Sequence, residues 1–153
     1  MIFKKNGHVR RNTDKDINRR IDQEIEARVR YLSLKGRYEI DSRLNELDKE
    51  WDIERTLEVN AGTLALTGVA LAAMHDKKWL ILPAIITTFL IQHAVQGWCP
   101  PLPLFRKMGI RTKAEIDKEK MALKAIRGDF NETSSERDDL KRADKALKAV
   151  LAE

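Results

Sequence analysis

The chain has 153 residues, 35% of them charged, with 29 Lys and Arg against 24 Asp and Glu and a formal net charge of +5. That length suits one domain without guaranteeing one large core. A single cysteine excludes an intramolecular disulfide framework and fits a reducing, cytoplasm-facing setting. Most of these charges, mixed in sign, read as solvated helix faces. The modest basic excess can also favour an anionic membrane surface, and without zinc-finger spacing, an RNA-binding aromatic signature or a dense basic run it points away from nucleic acid.

The stretch MIFKKNGHVRRN opens with Lys and Arg, but no apolar segment or small-residue cleavage site follows, so no signal peptide is expected. Residues 1–56 read as a charged amphipathic helical flank. Thr13-x-x-Asp16 is a weak relative of a capping box. Ile17, Ile21, Ile25, Val29 and Leu32 then form one apolar stripe at helical spacing. Gly36 is the expected stop. A second stripe runs Ile40, Leu44, Leu47 and Trp51, with Ile53 and Leu57 beyond it. Such stripes suit a bilayer surface, a coiled coil or a partner helix.

The composition then changes abruptly. Residues 59–105 contain three charges, Asp76, Lys77 and Lys78, while the other 106 residues carry the remaining 50. A step that sharp marks two environments. The segment 57–105 is therefore predicted to be a transmembrane hairpin with spans at about 57–74 and 79–98. The uncharged residues 59–74 alone give ~24 Å of helix, short of a hydrocarbon core of ~30 Å, and Leu57 extends them. Residues 79–105 contain no Asp, Glu, Lys or Arg. Trp79 and Trp98 stand 19 residues apart, ~29 Å along a helix, and read as interfacial anchors. The connection HDKK at 75–78 forces an antiparallel pair, and Pro83 falls where a helix tolerates it. Positive residues near the membrane ends number eight on the flanks and two in the loop, which favours both termini in the cytoplasm of an inner-membrane, multi-pass protein.

Within the first span, Ala61, Ala65, Gly68 and Ala72 make a small-residue stripe for close helix packing. In the second, Thr88, Gln92 and Gln96 recur every fourth residue, with His93 beside them. That face reads as hydrogen-bond glue between chains, as a polar path or ligand site, or as interfacial exposure. With His8, His75 and His93 as the only histidines, no metal or haem set is expected, and no cofactor. Gly97 is the expected helix end. Pro100, Pro101 and Pro103 are expected to hold the exit chain extended, with Leu102, Leu104 and Phe105 in the interface and Arg106 and Lys107 against headgroups. Cys99 reads as a packing residue, a reactive thiol or an acylation site.

The residues ERTLEVNAGTLALTGVAL (54–71) and QGWCPPLPLFRKMGIRT (96–112) together resemble the YgaP-type small inner-membrane domain family. Gly97, Trp98, Cys99 and Pro100 match its GWCP-like motif, and Gly109, Ile110 and Thr112 its GI-x-T ending. The resemblance covers about 54–112. It implies a two-helix hairpin that pairs through its transmembrane helices. Some members carry a rhodanese, a sulfur-transfer domain; here no cysteine precedes Cys99, so that active-site loop is absent.

Residues 106–153 read as a second charged helical region. Thr112-x-x-Glu115 is a capping box opening a helix with Ile116, Met121 and Ile126, which ends near Gly128. Ser134 or Ser135 is expected to cap a last helix bearing Leu140, Ala143, Leu147, Val150 and Leu151. The expected fold is thus all-α, a transmembrane hairpin flanked on both sides by amphipathic cytoplasmic helices that assemble a helical cap. No catalytic constellation is visible. The expected role is a non-enzymatic scaffold or accessory subunit whose partners are the lipid bilayer and a second copy or another membrane protein. A small transport or sulfur-handling protein using Thr88, Gln92, His93, Gln96 and Cys99 is the alternative, and a soluble partner-binding bundle the third.

Overall fold

The computed structural model describes residues 7–151, and every regular element in that range is helical. The elements are α1 (Gly7–Arg11), α2 (Lys15–Ser33), α3 (Arg37–Lys49), α4 (Ile53–Met74), a 3-10 turn (Lys77–Leu80), α5 (Ile81–Gln96), α6 (Leu102–Lys107), α7 (Lys113–Arg127), α8 (Asn131–Ser135) and α9 (Asp139–Leu151). Residues 1–6, where the leader expectation begins, and the side chain of Leu151 lie outside the described residues. The chain divides into two compact units. The first holds the residues up to Ile21 with Trp51–Ala114; the second holds Asp22–Glu50 and the residues from Glu115 on.

The first unit contains the apolar hairpin. Asp52 starts α4, its side chain accepting the Arg55 N–H at 2.8 Å. The 22 residues of α4 give ~33 Å of helix. The connection is tightened by Asp76, whose carboxylate accepts the Lys78 N–H at 2.8 Å. Pro83 sits in the first turn of α5, where a backbone N–H would have no helical partner. The second apolar segment is not one helix over 79–98. Trp79 lies in the 3-10 turn, α5 has 16 residues, and Trp98 lies past the helix end. Turn and helix together still rise ~32 Å, comparable to the hydrocarbon thickness. The helix ending at Met74 and the continuous helical segment Lys77–Gln96 are each long and apolar enough to cross a membrane, with 11% and 0% of their most apolar stretches buried.

α4 and α5 pack against each other through the small-residue stripe. Gly68 is buried, and Ala61, Ala65 and Ala72 are half-buried. A Cβ at Gly68 would stand 2.6 Å from Pro83 Cδ and 3.2 Å from Leu82 Cβ. The absent side chain sets the approach of the two helices.

The second unit builds a small core from both flanks: Leu32, Ile40, Leu44 and Leu47 with Ile116 and Leu123, and Val29 packed against them. Charges are buried beside it. Glu119 has no exposed surface and accepts from Arg28 Nη1 at 3.1 Å and Arg43 Nε at 2.9 Å. Lys124 is also buried and donates through Nζ to the Val150 carbonyl at 2.9 Å, placing a cation at the carbonyl end of α9. Burial, with the Lys120 charge next, lowers its pKa from the ordinary lysine value. Arg127 grips both Asp129 oxygens at 2.8 and 2.6 Å and Asp41 at 2.6 Å.

Several local expectations differ from the structure. Asp14, not Thr13, opens α2, accepting the Asp16 N–H at 2.8 Å. Asp138 caps α9 by accepting from Leu140 N at 3.0 Å, because Ser134 and Ser135 are taken up in α8. Met121 and Ile126 are exposed, since the packed face of α7 runs through Ile116, Glu119 and Leu123. Leu140, Leu147 and Val150 of α9 are exposed, and Ala149 is the buried residue.

Two experiments test this packing. Gly68→Ala should destabilise the hairpin by about 1–3 kcal/mol through overpacking against a stiff proline ring. Gly62→Ala, at a position with nothing within 4 Å, should be neutral or stabilising by up to about 1 kcal/mol. Thermal unfolding in detergent by circular dichroism reads both, and equal midpoints for the two variants would refute the close approach at Gly68.

The second concerns pH. The hydrogen bonds from Arg127 hold the Asp129 carboxyl below its ordinary value, against an opposing effect of burial. The folded chain therefore releases this proton more readily than the unfolded chain. The resulting stability is complete above the ordinary aspartate pKa of about 3.9 and is lost as pH falls through the lower native value. The stability advantage of the native chain over Asp129→Asn should be constant near neutrality and shrink below pH ~4. Urea unfolding across that range measures it, and a gap independent of pH would contradict the assignment.

Candidate functional site

The site is built around the end of α5. Gly97 terminates the helix at φ 73°, a left-handed conformation that favours glycine. The same residue faces His8, whose Cβ would lie 2.4 Å from an added side chain. Asn12 Nδ2 donates to the Gln96 carbonyl at 2.9 Å, satisfying one of the carbonyls that a helix end leaves open. Cys99 and Leu102 then turn inward. They form a buried cluster with Val9, Ile53 and Leu57, against which Phe105 and Ile110 pack.

The prolines do not hold this segment extended. Pro101 and Pro103 stand at the start of α6, where fixed φ and a missing N–H suit the first helical turn. Leu102 is consequently buried, with no exposed surface, rather than resting in an interface.

Arg106 is the larger correction. It was expected among headgroups and has no exposed surface. Its Nε donates to Thr13 Oγ1 at 3.2 Å, Nη1 to the Ile110 carbonyl at 3.0 Å and Nη2 to Asn18 Oδ1 at 3.0 Å. Lys107 is exposed, and its carbonyl accepts from Arg20 Nη2 at 2.9 Å. Ile53 N–H donates to the Arg111 carbonyl at 2.8 Å. The GWCP and GIRT stretches are thus one folded piece, tied to the start of α4 and to residues 8–20.

Between α4, α5 and this piece lies a hollow of about 240 Å³. Its walls are apolar: Leu57, Ala61, Leu64, Ile86, Phe89 and Leu90, closed by Cys99, Pro100, Pro101 and Phe105. Asn60 and His93 are the polar side chains lining it, and His93 also lines a second hollow with His8, Glu54 and Glu58. His93 Nδ1 is buried without a hydrogen-bond partner. Burial raises the Cys99 thiol above its ordinary pKa, against a backbone hydrogen bond from Leu102, so the sulfur is held as a neutral thiol.

Thr88, Gln92, His93 and Gln96 do not form one site: only Gln92 and Gln96 meet. His93 faces the hollow, whereas Thr88 and Gln96 are exposed. Thr88 Oγ1 donates to the Ala84 carbonyl at 2.8 Å, and the half-buried Gln92 reaches Gln96 Oε1 at 3.4 Å. Trp79 and Trp98 are both exposed. Asn12, Thr13 and Asn18 were not foreseen as part of the site, because contacts spanning 84 to 93 residues leave no local pattern. Among the described residues no group of three His, Cys, Asp or Glu is placed to hold a metal ion.

No family model, curated protein or solved structure matches this chain. The class that the fold itself defines is an all-helical protein with two helices long and apolar enough to cross a membrane.

Arg106→Leu tests the anchor. Stranding its buried acceptors should cost on the order of 3 kcal/mol and release the exit segment. Maleimide labelling of Cys99, slow in the native chain, should accelerate at least about tenfold, since a fully opened anchor costs more than the 1.4 kcal/mol that a factor of ten represents. Lys107→Leu, at an exposed side chain, should leave the rate unchanged. Equal rates in all three proteins would refute the anchoring role.

Proposed function

We propose that the protein is a non-enzymatic integral membrane protein, an oligomeric scaffold or accessory subunit. Its hairpin lies in a bacterial-type inner membrane with both termini cytoplasmic, and its charged helices meet cytoplasmic partners. The observation that supports this is the lack of protein cover on α5. No residue of that helix is buried, and Ile81, Ile85, Phe89, Leu90, Ile91 and Val95 all stand exposed. Apolar surface on that scale belongs against lipid or another chain. The resemblance of residues 54–112 to the YgaP-type hairpin family points the same way.

A transport or sulfur-handling role is the second reading. Of the residues it would employ, His93 and Cys99 line the hollow; a path along the helix would need Thr88 and Gln96 as well, which face outward.

Alkaline carbonate extraction tests the membrane assignment. The protein should stay in the pellet. In a Cys99→Ser background, Lys78→Cys should react with an impermeant maleimide from outside, and a cysteine placed at Ser135 only after permeabilisation. Release into the supernatant would overturn the reading. A monomer in mild detergent that co-purifies with nothing would overturn the scaffold role while leaving the topology standing.

A further inference from the structure

We propose that the hollow between α4, α5 and the exit segment is a lipid site, taking one acyl chain of a phospholipid with its ester carbonyl at His93. The proposal rests on the membrane reading above and adds a ligand to it. Three observations carry it. The hollow is walled by apolar side chains from both helices and from Pro100, Pro101 and Phe105, so its occupant must be largely hydrocarbon. Free phosphate or a soluble metabolite would have nothing to bind there.

The second is His93. Its ring is one of two polar side chains lining the hollow, and its Nδ1 makes no hydrogen bond within the chain. A neutral imidazole offers one N–H donor, and a carbonyl is the matching acceptor. The third is depth. His93 precedes the end of α5 at Gln96 by three residues, ~4.5 Å of helix. In a hairpin spanning the hydrocarbon, that level is the boundary between acyl chains and headgroups, where the ester carbonyls of a phospholipid lie. Both signs of charge stand at the same end: Arg55 and Lys107 are exposed, each two residues from a lining residue, Leu57 and Phe105, and Glu54 and Glu58 line the neighbouring hollow. The two cations suit a lipid phosphate.

The hollow is also made by the motif. Cys99 and Pro100 form one wall, and the buried Cys99 thiol, small and uncharged, lets Leu102 and Phe105 close beneath it. The lone cysteine is wall here, not ligand.

The test uses the full chain in nanodiscs containing phosphatidylglycerol with a diazirine on the acyl carbons next to the ester. Photolysis and peptide mapping should place adducts on lining residues such as Leu57, Ala61, Ile86, Phe89 and Leu90 at least fivefold over the outward Leu66, Ile91 and Val95. His93→Ala should lower the lining adducts several-fold. Ala61→Trp, which fills the hollow, should abolish them. Both variants should remain in the carbonate pellet. Adducts spread evenly around the helices, or unchanged in both variants, would overturn the lipid site while the membrane reading stands. A benzophenone amino acid placed at Leu64 that cross-links on photolysis to a second copy would overturn it in favour of a protomer in the hollow. Wild-type protein released by carbonate would overturn both.

Discussion

A guanidinium with no exposed surface constrains everything near it. Taking Arg106 out of water is costly unless its donors are met, and in this chain they are met by Thr13, Asn18 and the Ile110 carbonyl. Those partners lie on opposite sides of the hairpin in sequence. Satisfying one side chain therefore requires residues 13–18 and 106–110 to close on each other. Once closed, Asn12 reaches the carbonyl end of α5 and His8 lies against Gly97. Thr13 in turn donates to Val9 at 2.8 Å. A polar network of this kind tolerates no partial loss, because each stranded member adds its own desolvation cost.

The second unit repeats the device with fewer apolar residues. Its core cluster is six buried side chains, little for a unit drawn from both ends of the chain. Glu119 adds what that core lacks. One carboxylate is shared by a guanidinium from α2 and another from α3, so α7 is held in register against both. Hydrophobic contact is non-directional, whereas hydrogen bonds to charged groups are short and directional. The charges fix an arrangement that six apolar side chains would leave loose.

The sequence made the helices and the apolar hairpin legible, because composition and helical spacing are local. Ile21, Ile25 and Leu32 on one stripe, and Ile40, Leu44 and Leu47 on the next, are buried as their spacing implies. Gly97 and the packing role of Gly68 were also readable, from a breaker at a helix end and from small-residue spacing. What could not be read were long-range partners. Arg106 beside Lys107 looks like a snorkelling pair, and nothing local says that Thr13 and Asn18 will draw the first inward. The prolines misled for a related reason. Proline excludes a continuing helix and equally favours a new one at its first turn, and only Cys99 and Leu102 packing under Leu57 decides between them. The same holds for α7, whose packed face includes the buried charges Glu115, Glu119 and Lys124, while Met121 and Ile126 stand exposed.

The hairpin's polar groups separate into two kinds, and the difference locates function. Thr63, Thr67, Thr87 and Thr88 each donate to the carbonyl four residues earlier, at 2.7 to 2.8 Å. A hydroxyl bonded to its own helix needs no partner and can face lipid at little cost. His93 makes no such bond, and its Nδ1 is left without a partner. Threonine on these helices is therefore neutral ground, while the histidine is an unmet demand placed in an apolar hollow. A structure that satisfies Arg106 so fully, a few residues away, has the means to satisfy a buried nitrogen. That open nitrogen is why the hollow, rather than the outward Thr88–Gln96 face, carries the proposed lipid site.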